Sequence, residues 1–174
     1  AIAMLEEPLR HRLHIHQQAR PEQIDLLQKR YADLGVTAQL RPFFSDVPQL
    51  LGNSHLVICR AGASSVAELA AIGRPALLLP LPNAMDDHQR VNALQMQDVG
   101  GGICLDETSV SAAALATRLI QLLDAPKTLS QMAKSARSLA GPDAAKLIAA
   151  LAEHLVGYPP PNQKAPNQQE PAHE

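Results

Sequence analysis

Residues 59–68, which read CRAGASSVAE, join an apolar run to a helical pattern through a turn of small residues. The run before them, HLVIC at residues 55–59, is apolar without a break and predicts a buried strand. A helix is predicted from about residue 64 to residue 71. A strand that turns through glycine into a helix is typical of an α/β fold, and the remaining chain can be read outward from this unit.

The same alternation of strand and helix continues on both sides of this stretch. Further strands are predicted at residues 12–19, 36–44, 76–79 and 103–105. Further helices are predicted at residues 21–35, 48–51, 88–99, 111–123, 129–140 and 144–156. This order predicts a Rossmann-like parallel sheet with helices on both faces. Residues 1–5 read as the interior of a helix with no start signal, so we expect the chain to be a fragment.

The length, composition and charge of the chain exclude several classes of protein. The chain has 174 residues, of which 46% are hydrophobic and 18% charged, as expected for one folded domain. Lys and Arg total 15 against 17 for Asp and Glu, which argues against nucleic-acid binding through phosphate neutralisation. No apolar run approaches the roughly 18 residues of a membrane-spanning helix. We therefore expect one folded domain over residues 1–156 and a disordered, Pro- and Gln-rich tail over residues 157–174.

The two cysteines, Cys59 and Cys104, are too few for a disulfide scaffold. Each lies in an apolar, strand-like run, where a buried thiol is expected. A reducing cytoplasm fits this pattern.

The loop at residues 59–68 is the strongest candidate for a ligand site. Ligands of open parallel sheets bind where strands lead into helix N-termini. Small residues there let a ligand approach the backbone, and the positive end of the helix dipole favours a phosphate or diphosphate. Two interpretations of Ser65 and Glu68 stay open. The pair fits a capping box, or Glu68 points outward as an acceptor for sugar or ribose hydroxyls.

A second polar loop leads into the helix predicted at residues 88–99. His88, Gln89 and Asn92 lie at i, i+1 and i+4, which gives donors and acceptors suited to hydroxyl recognition. Asp86 and Asp87 adjoin His88 rather than lying at ligand spacing, so a solvated helix start is favoured over a metal site.

A third loop, residues 42–47, carries Phe43 and Phe44. We expect Phe43 in the core and Phe44 at a site edge, with burial of both about equally compatible with the pattern. Ser45 or Asp46 is expected to cap the following helix.

Together these loops resemble one family, the two-domain GT-B glycosyltransferases that make lipid-linked peptidoglycan precursors. The resemblance covers residues 1–156 and rests on four segments in order: FFSD at 43–46, CRAGASSVAE at 59–68, GRPA at 73–76 and DHQRVNA at 87–93. These segments resemble the carboxyl-terminal, donor-binding domain. Members of the family have a further upstream strand with a Gly-Gly-Ser-Gln-Gly-Ala loop, which does not occur here, so the first strand of the domain is expected to be missing.

The resemblance implies binding of UDP-N-acetylglucosamine. Phe44 would meet the uracil through its backbone, Ala63, Ser64 and Ser65 would face the diphosphate, and Glu68 would accept from the ribose hydroxyls. His88 and Gln89 would contact the sugar, with Asn92 close behind. The full set of expected donor-binding residues is Phe44, Arg60, Gly62, Ala63, Ser64, Ser65, Glu68, His88, Gln89 and Asn92.

The implied reaction is an inverting transfer of N-acetylglucosamine to a lipid-linked muramoyl-pentapeptide. The acceptor site and the general base would lie in an N-terminal domain that is absent here. No catalytic residue is therefore assigned, no metal ion or cofactor is expected, and the chain alone is expected to be inactive. The resemblance also implies a cytoplasmic enzyme, peripheral on the inner membrane.

Three other functions stay open. A UDP-sugar epimerase shares the two-domain plan and the sugar nucleotide. A stand-alone UDP-sugar-binding subunit would need a separate acceptor subunit. An inactive remnant would expose a sheet edge and apolar surface.

Overall fold

A computed structural model describes residues 1–82 and 87–140. The helix predicted at residues 144–156 and the tail predicted at 157–174 lie outside the described residues, so the proposed domain boundary stays a prediction.

Strands and helices alternate through the described part of the chain. The strands are His14–Gln18 (β1), Thr37–Arg41 (β2), Val57–Cys59 (β3), Ala76–Leu78 (β4) and Gly102–Cys104 (β5). The helices are Glu7–Arg10 (α1), Pro21–Asp33 (α2), Val47–Asn53 (α3), Ala63–Ile72 (α4), His88–Asp98 (α5), Ala112–Leu123 (α6) and Pro126–Ser138 (α7). All five predicted strands are thus confirmed, and α1 is a helix that the sequence pattern did not predict.

Every strand pairing in the described part of the chain is parallel, as the alternation predicted. β1 pairs with β2, and β3, β4 and β5 form a second sheet in that order. Parallel pairing follows from the helix that crosses over between successive strands. The Rossmann-like class is confirmed, although the described strands form two sheets rather than one.

Local signals set several helix ends. Proline occupies the first position of α2 and of α7, where its missing N–H costs nothing. α4 ends at Gly73, whose φ of 72° is readily accessible to glycine and whose N–H donates to Leu69 O. Ser111 caps α6 by accepting a hydrogen bond from the Ala114 N–H at 3.1 Å.

β4 is the centre of the core. Leu77 packs on one side with buried residues of α6 and α7, such as Leu119 and Met132. Ala76 and Leu78 pack on the other side with residues of α4 and α5. Because successive side chains of a strand point to opposite faces, this arrangement shows helices on both faces of the sheet.

Two sequence predictions fail at exposed or terminal positions. Ile58 in β3 is 47% exposed, so the prediction of a fully buried strand is wrong there. Within the described part of the chain β3 pairs only with β4, and an edge strand leaves part of its surface uncovered. Residues 2–4 form a 3₁₀ turn rather than the interior of an α-helix. Leu5 then enters the core beside Leu77.

Candidate functional site

The loops after β3, β4 and β5 share one edge of the three-stranded sheet. Cys59 pairs with Leu78, and Leu78 pairs with Cys104, so the three strands end in register. Since the strands are parallel, the segments that follow them emerge on the same side. This carboxyl edge is where open α/β sheets bind ligands.

The loop after β3 delivers the N-terminus of α4 to this edge. Gly62 is the N-cap residue, and Ala63, Ser64 and Ser65 form the first turn. In the described residues no side chain caps this helix. The first-turn amides have no partner within a helix, so these three N–H groups suit an anion.

The capping-box interpretation of Ser65 and Glu68 is wrong. A capping box needs Ser at the N-cap and Glu at the third helical position, whereas Ser65 itself occupies that third position. Glu68 lies farther along α4 and its side chain is exposed. Ser64 and Glu68 are four residues apart, so they share a face of the helix.

Arg60, the first residue after β3, binds Glu107 in the segment after β5. The guanidinium Nη1 donates to Glu107 Oε2 at 2.6 Å and Nη2 donates to Oε1 at 2.7 Å. Nη1 also donates to the carbonyl oxygen of Leu79 at 3.1 Å. The hydrogen bond from Arg60 lowers the pKa of Glu107, and the same bond raises the pKa of Arg60.

The start of α5 is tied to the two preceding loops. Gln89 Oε1 accepts a hydrogen bond from the Leu81 N–H at 3.0 Å, and Asn92 Nδ2 donates to Ala61 O at 3.0 Å. The side chain of His88 is exposed. The three predicted sugar contacts therefore lie on one helix beside α4. An apolar groove of about 300 Å³ runs between these two helices, with both Ala63 and Asn92 in its lining.

The two phenylalanines after β2 have exchanged their expected places. Phe44 is 6% exposed and Phe43 is 70% exposed, so both sequence interpretations of this pair are wrong. The Phe44 ring lies beneath the Arg41 guanidinium, with 5.6 Å from Cζ to the ring centroid, and makes an edge contact with His16. Asp46 occupies the N-cap position of α3 as predicted, but its side chain makes no capping bond among the described residues.

Sequence reasoning missed Glu107 and the backbone of Ala61 and Leu81. Glu107 is 47 positions from Arg60, and no local motif marks such a partner. Across residues 1–82 and 87–140, no cluster of three or more His, Cys, Asp or Glu side chains could hold a metal ion. The same ranges hold no helix long and apolar enough to cross a membrane.

Parallel strands with helices on both faces, and a polar carboxyl edge beside an uncapped helix, define a doubly wound α/β domain with a candidate ligand site at that edge. Residues 3–148 match the glycosyltransferase family 28 C-terminal domain, and the chain belongs to that family.

Proteins of known name share this sequence over most of its length. A relative from Rhodospirillum rubrum is 46% identical over 167 residues, which are 94% of this chain and 43% of the relative. A relative from Rhodospirillum centenum is 48% identical over 86% of this chain and 39% of its own length. Both are called UDP-N-acetylglucosamine–N-acetylmuramyl-(pentapeptide) pyrophosphoryl-undecaprenol N-acetylglucosamine transferase. The chain thus spans less than half the length of these curated relatives.

Solved structures agree on the fold. The crystal structure of Acinetobacter baumannii MurG is 31% identical, with a TM-score of 0.75 over 88% of this chain and 48% of that one. The spinosyn forosaminyltransferase SpnP has a TM-score of 0.58 at 19% identity, which indicates a shared fold alone. The GT-B glycosyltransferase class expected from the sequence is confirmed.

Proposed function

We propose that this chain is the donor-binding half of an inverting N-acetylglucosaminyltransferase. The longer protein would move N-acetylglucosamine from UDP-N-acetylglucosamine to a lipid-linked muramoyl-pentapeptide in peptidoglycan synthesis. The names of relatives at 46% and 48% identity support this reaction. The observation that carries the proposal for this chain is the uncapped N-terminus of α4 at the carboxyl edge of the sheet.

The first turn of α4 suits the diphosphate of the donor. The N–H groups of Ala63, Ser64 and Ser65 would bind the phosphate oxygens, and Gly62 leaves the approach to the backbone open. In the reaction the leaving UDP gains negative charge. Fixed amide donors and the positive end of the helix would stabilise that charge without reorganising.

Glu68 is suited to bind the ribose. Its carboxylate is exposed on the α4 face that Ser64 also occupies. A nucleotide held at the first turn would therefore reach Glu68 one turn farther along, where its oxygens would accept hydrogen bonds from the two ribose hydroxyls.

The start of α5 supplies the polar groups proposed for the sugar. The hydrogen bond from Asn92 to Ala61 holds α5 against the loop that leads into α4. His88 and Gln89 lie one turn before Asn92 on that helix. They would donate to or accept from the hydroxyls of the N-acetylglucosamine, with Asn92 keeping the two helices in register.

The loop after β2 is proposed to hold the uracil. Phe44 fixes the loop by burying its ring, which leaves its backbone to contact the base edge. The neighbouring Phe43 ring is 70% exposed and is large enough to stack on a planar base.

The acceptor site and general base would come from the rest of the longer protein. The base would deprotonate the acceptor hydroxyl, which then attacks the anomeric carbon as UDP leaves. Because the relatives' named acceptor carries undecaprenol, the longer protein would work peripherally at the cytoplasmic face of the inner membrane.

Calorimetric titration of the purified chain with UDP-N-acetylglucosamine tests the donor site, with UDP-glucose as the competing sugar nucleotide. We expect saturable binding that prefers the N-acetyl sugar. Glu68→Ala should weaken binding by about 1 to 3 kcal/mol, because a charged hydrogen-bond acceptor is lost. The matched control is Glu22→Ala, an exposed glutamate in the first turn of α2.

Binding equal in the wild type and Glu68→Ala would contradict the ribose assignment. A chain that unfolds cooperatively and binds neither nucleotide would overturn the donor-site proposal. Conversion of the bound sugar to its epimer without any acceptor would favour an epimerase instead.

A further inference from the structure

The Arg60–Glu107 pair connects the loops that follow β3, β4 and β5 at the carboxyl edge of the sheet. Arg60 follows β3, Glu107 lies beyond β5, and the guanidinium also binds the carbonyl oxygen of Leu79 at the end of β4. The two charged groups meet in a bidentate arrangement, which fixes orientation as well as distance. Their side chains are 45% and 41% exposed, so the pair contributes little to global stability.

The segment held by Arg60 contacts Gln89 directly. Two residues after Leu79, the Leu81 N–H donates to Gln89 Oε1 at 3.0 Å. An amide whose oxygen is engaged in this way presents its NH₂ group as a donor to any other partner. The orientation of Gln89 therefore depends on the position of the Leu79–Leu81 backbone.

We propose that Arg60 and Glu107 are positioning residues for the sugar end of the donor site. The ion pair holds residues 79–81, these hold the amide of Gln89, and Gln89 then donates to the sugar. Neither Arg60 nor Glu107 contacts the donor in this arrangement. The proposal rests on the proposed function of α5 and assigns Arg60 a different role from direct donor binding.

The test compares two ligands that differ only in the sugar. UDP and UDP-N-acetylglucosamine are titrated into the full chain and into Glu107→Gln, which keeps the side-chain size but removes the charge. We expect affinity for UDP-N-acetylglucosamine to fall about 3- to 5-fold, as for loss of a single exposed ion pair, while affinity for UDP stays within about 2-fold. Arg60→Lys retains the positive charge but loses the two parallel N–H donors of the guanidinium, so it should change the two affinities in the same way as Glu107→Gln.

A double-mutant cycle with Gln89→Ala tests whether the effect passes through Gln89. In that background Glu107→Gln should have no further effect on the ratio of the two affinities. Glu22→Gln serves as the control for loss of an exposed glutamate charge, and thermal unfolding of each variant confirms that it folds.

The outcomes separate this inference from the donor-site proposal. Equal losses for UDP and UDP-N-acetylglucosamine, unchanged affinities, or additive effects of Glu107→Gln and Gln89→Ala would each overturn the positioning role alone. A wild-type chain that binds neither ligand would overturn both proposals.

Discussion

Asn92 of α5 donates a hydrogen bond from Nδ2 to the carbonyl oxygen of Ala61, 3.0 Å away in the turn before α4. Ala61 is fully buried, so its carbonyl has little access to water. The contact therefore joins the two helices that carry the proposed diphosphate and sugar contacts, and it gives Asn92 a structural role in addition to any contact with a ligand.

We expect Asn92→Ala to lower the free energy of unfolding by about 1 kcal/mol, since it leaves the Ala61 carbonyl unpaired. Asn92→Asp should cost more, about 1 to 3 kcal/mol, because a carboxylate then faces a carbonyl oxygen. Urea denaturation measures both changes. Gln95→Ala, an exposed position on the same helix, is the control and should change stability little. Equal stabilities of all four proteins would show that the Asn92 contact contributes nothing.

The adjacent phenylalanines should separate stability from binding. Phe44→Ala removes a buried ring and should lower the free energy of unfolding by about 3 kcal/mol. Phe43→Ala removes an exposed ring and should change it by less than about 0.5 kcal/mol. If Phe43 stacks on the uracil, Phe43→Ala should weaken UDP binding by about 1 to 3 kcal/mol. Thermal unfolding and UDP titration of both variants measure these changes. If Phe43→Ala were less stable than Phe44→Ala, the assignment of stability to Phe44 and binding to Phe43 would be wrong.

The sequence predicted what local chemistry controls. The helix predicted at residues 21–35 begins at Pro21 as expected, because the restricted φ of proline acts within one or two residues. The placement of His88, Gln89 and Asn92 on one helix was likewise predictable, since it depends only on helical spacing.

Long-range packing accounts for the predictions that failed. Phe43 and Phe44 are chemically identical neighbours, and which ring is buried depends on Arg41 and His16 of the two-stranded sheet. The apolar pattern around Ile58 is that of a buried strand, while its actual exposure depends on which strands pair with β3. Apolar pattern alone contains neither piece of information.

Exposure of Ile58 should make the edge of β3 bind hydrophobic dyes. Ile58→Thr keeps a β-branched side chain, so strand formation is preserved while apolar surface is lost. We expect lower fluorescence of a bound naphthalene-sulfonate dye and slower aggregation, with unfolding little changed. The control is Val91→Thr, which removes a similarly exposed apolar side chain, 52% exposed, from helix α5. A dye signal that falls equally in both variants would show that the β3 edge has no special role.

Cys59 should be a poorly reactive thiol in the folded protein. Burial raises its pKa from 9.0 to about 11, because the thiolate loses hydration. At pH 8 the thiolate fraction is then about 100-fold below that of an ordinary cysteine, and alkylation slows in proportion. The raised pKa also means that stability decreases as pH rises from about 9 toward 11, since the unfolded chain loses this proton first. In a Cys104→Ser background, mass spectrometry of iodoacetamide labelling in buffer and in urea isolates Cys59. Equal labelling rates in buffer and in urea would contradict the expected protection of Cys59. Cys59→Ser should remove the part of the stability loss between about pH 9 and pH 11 that comes from this thiol.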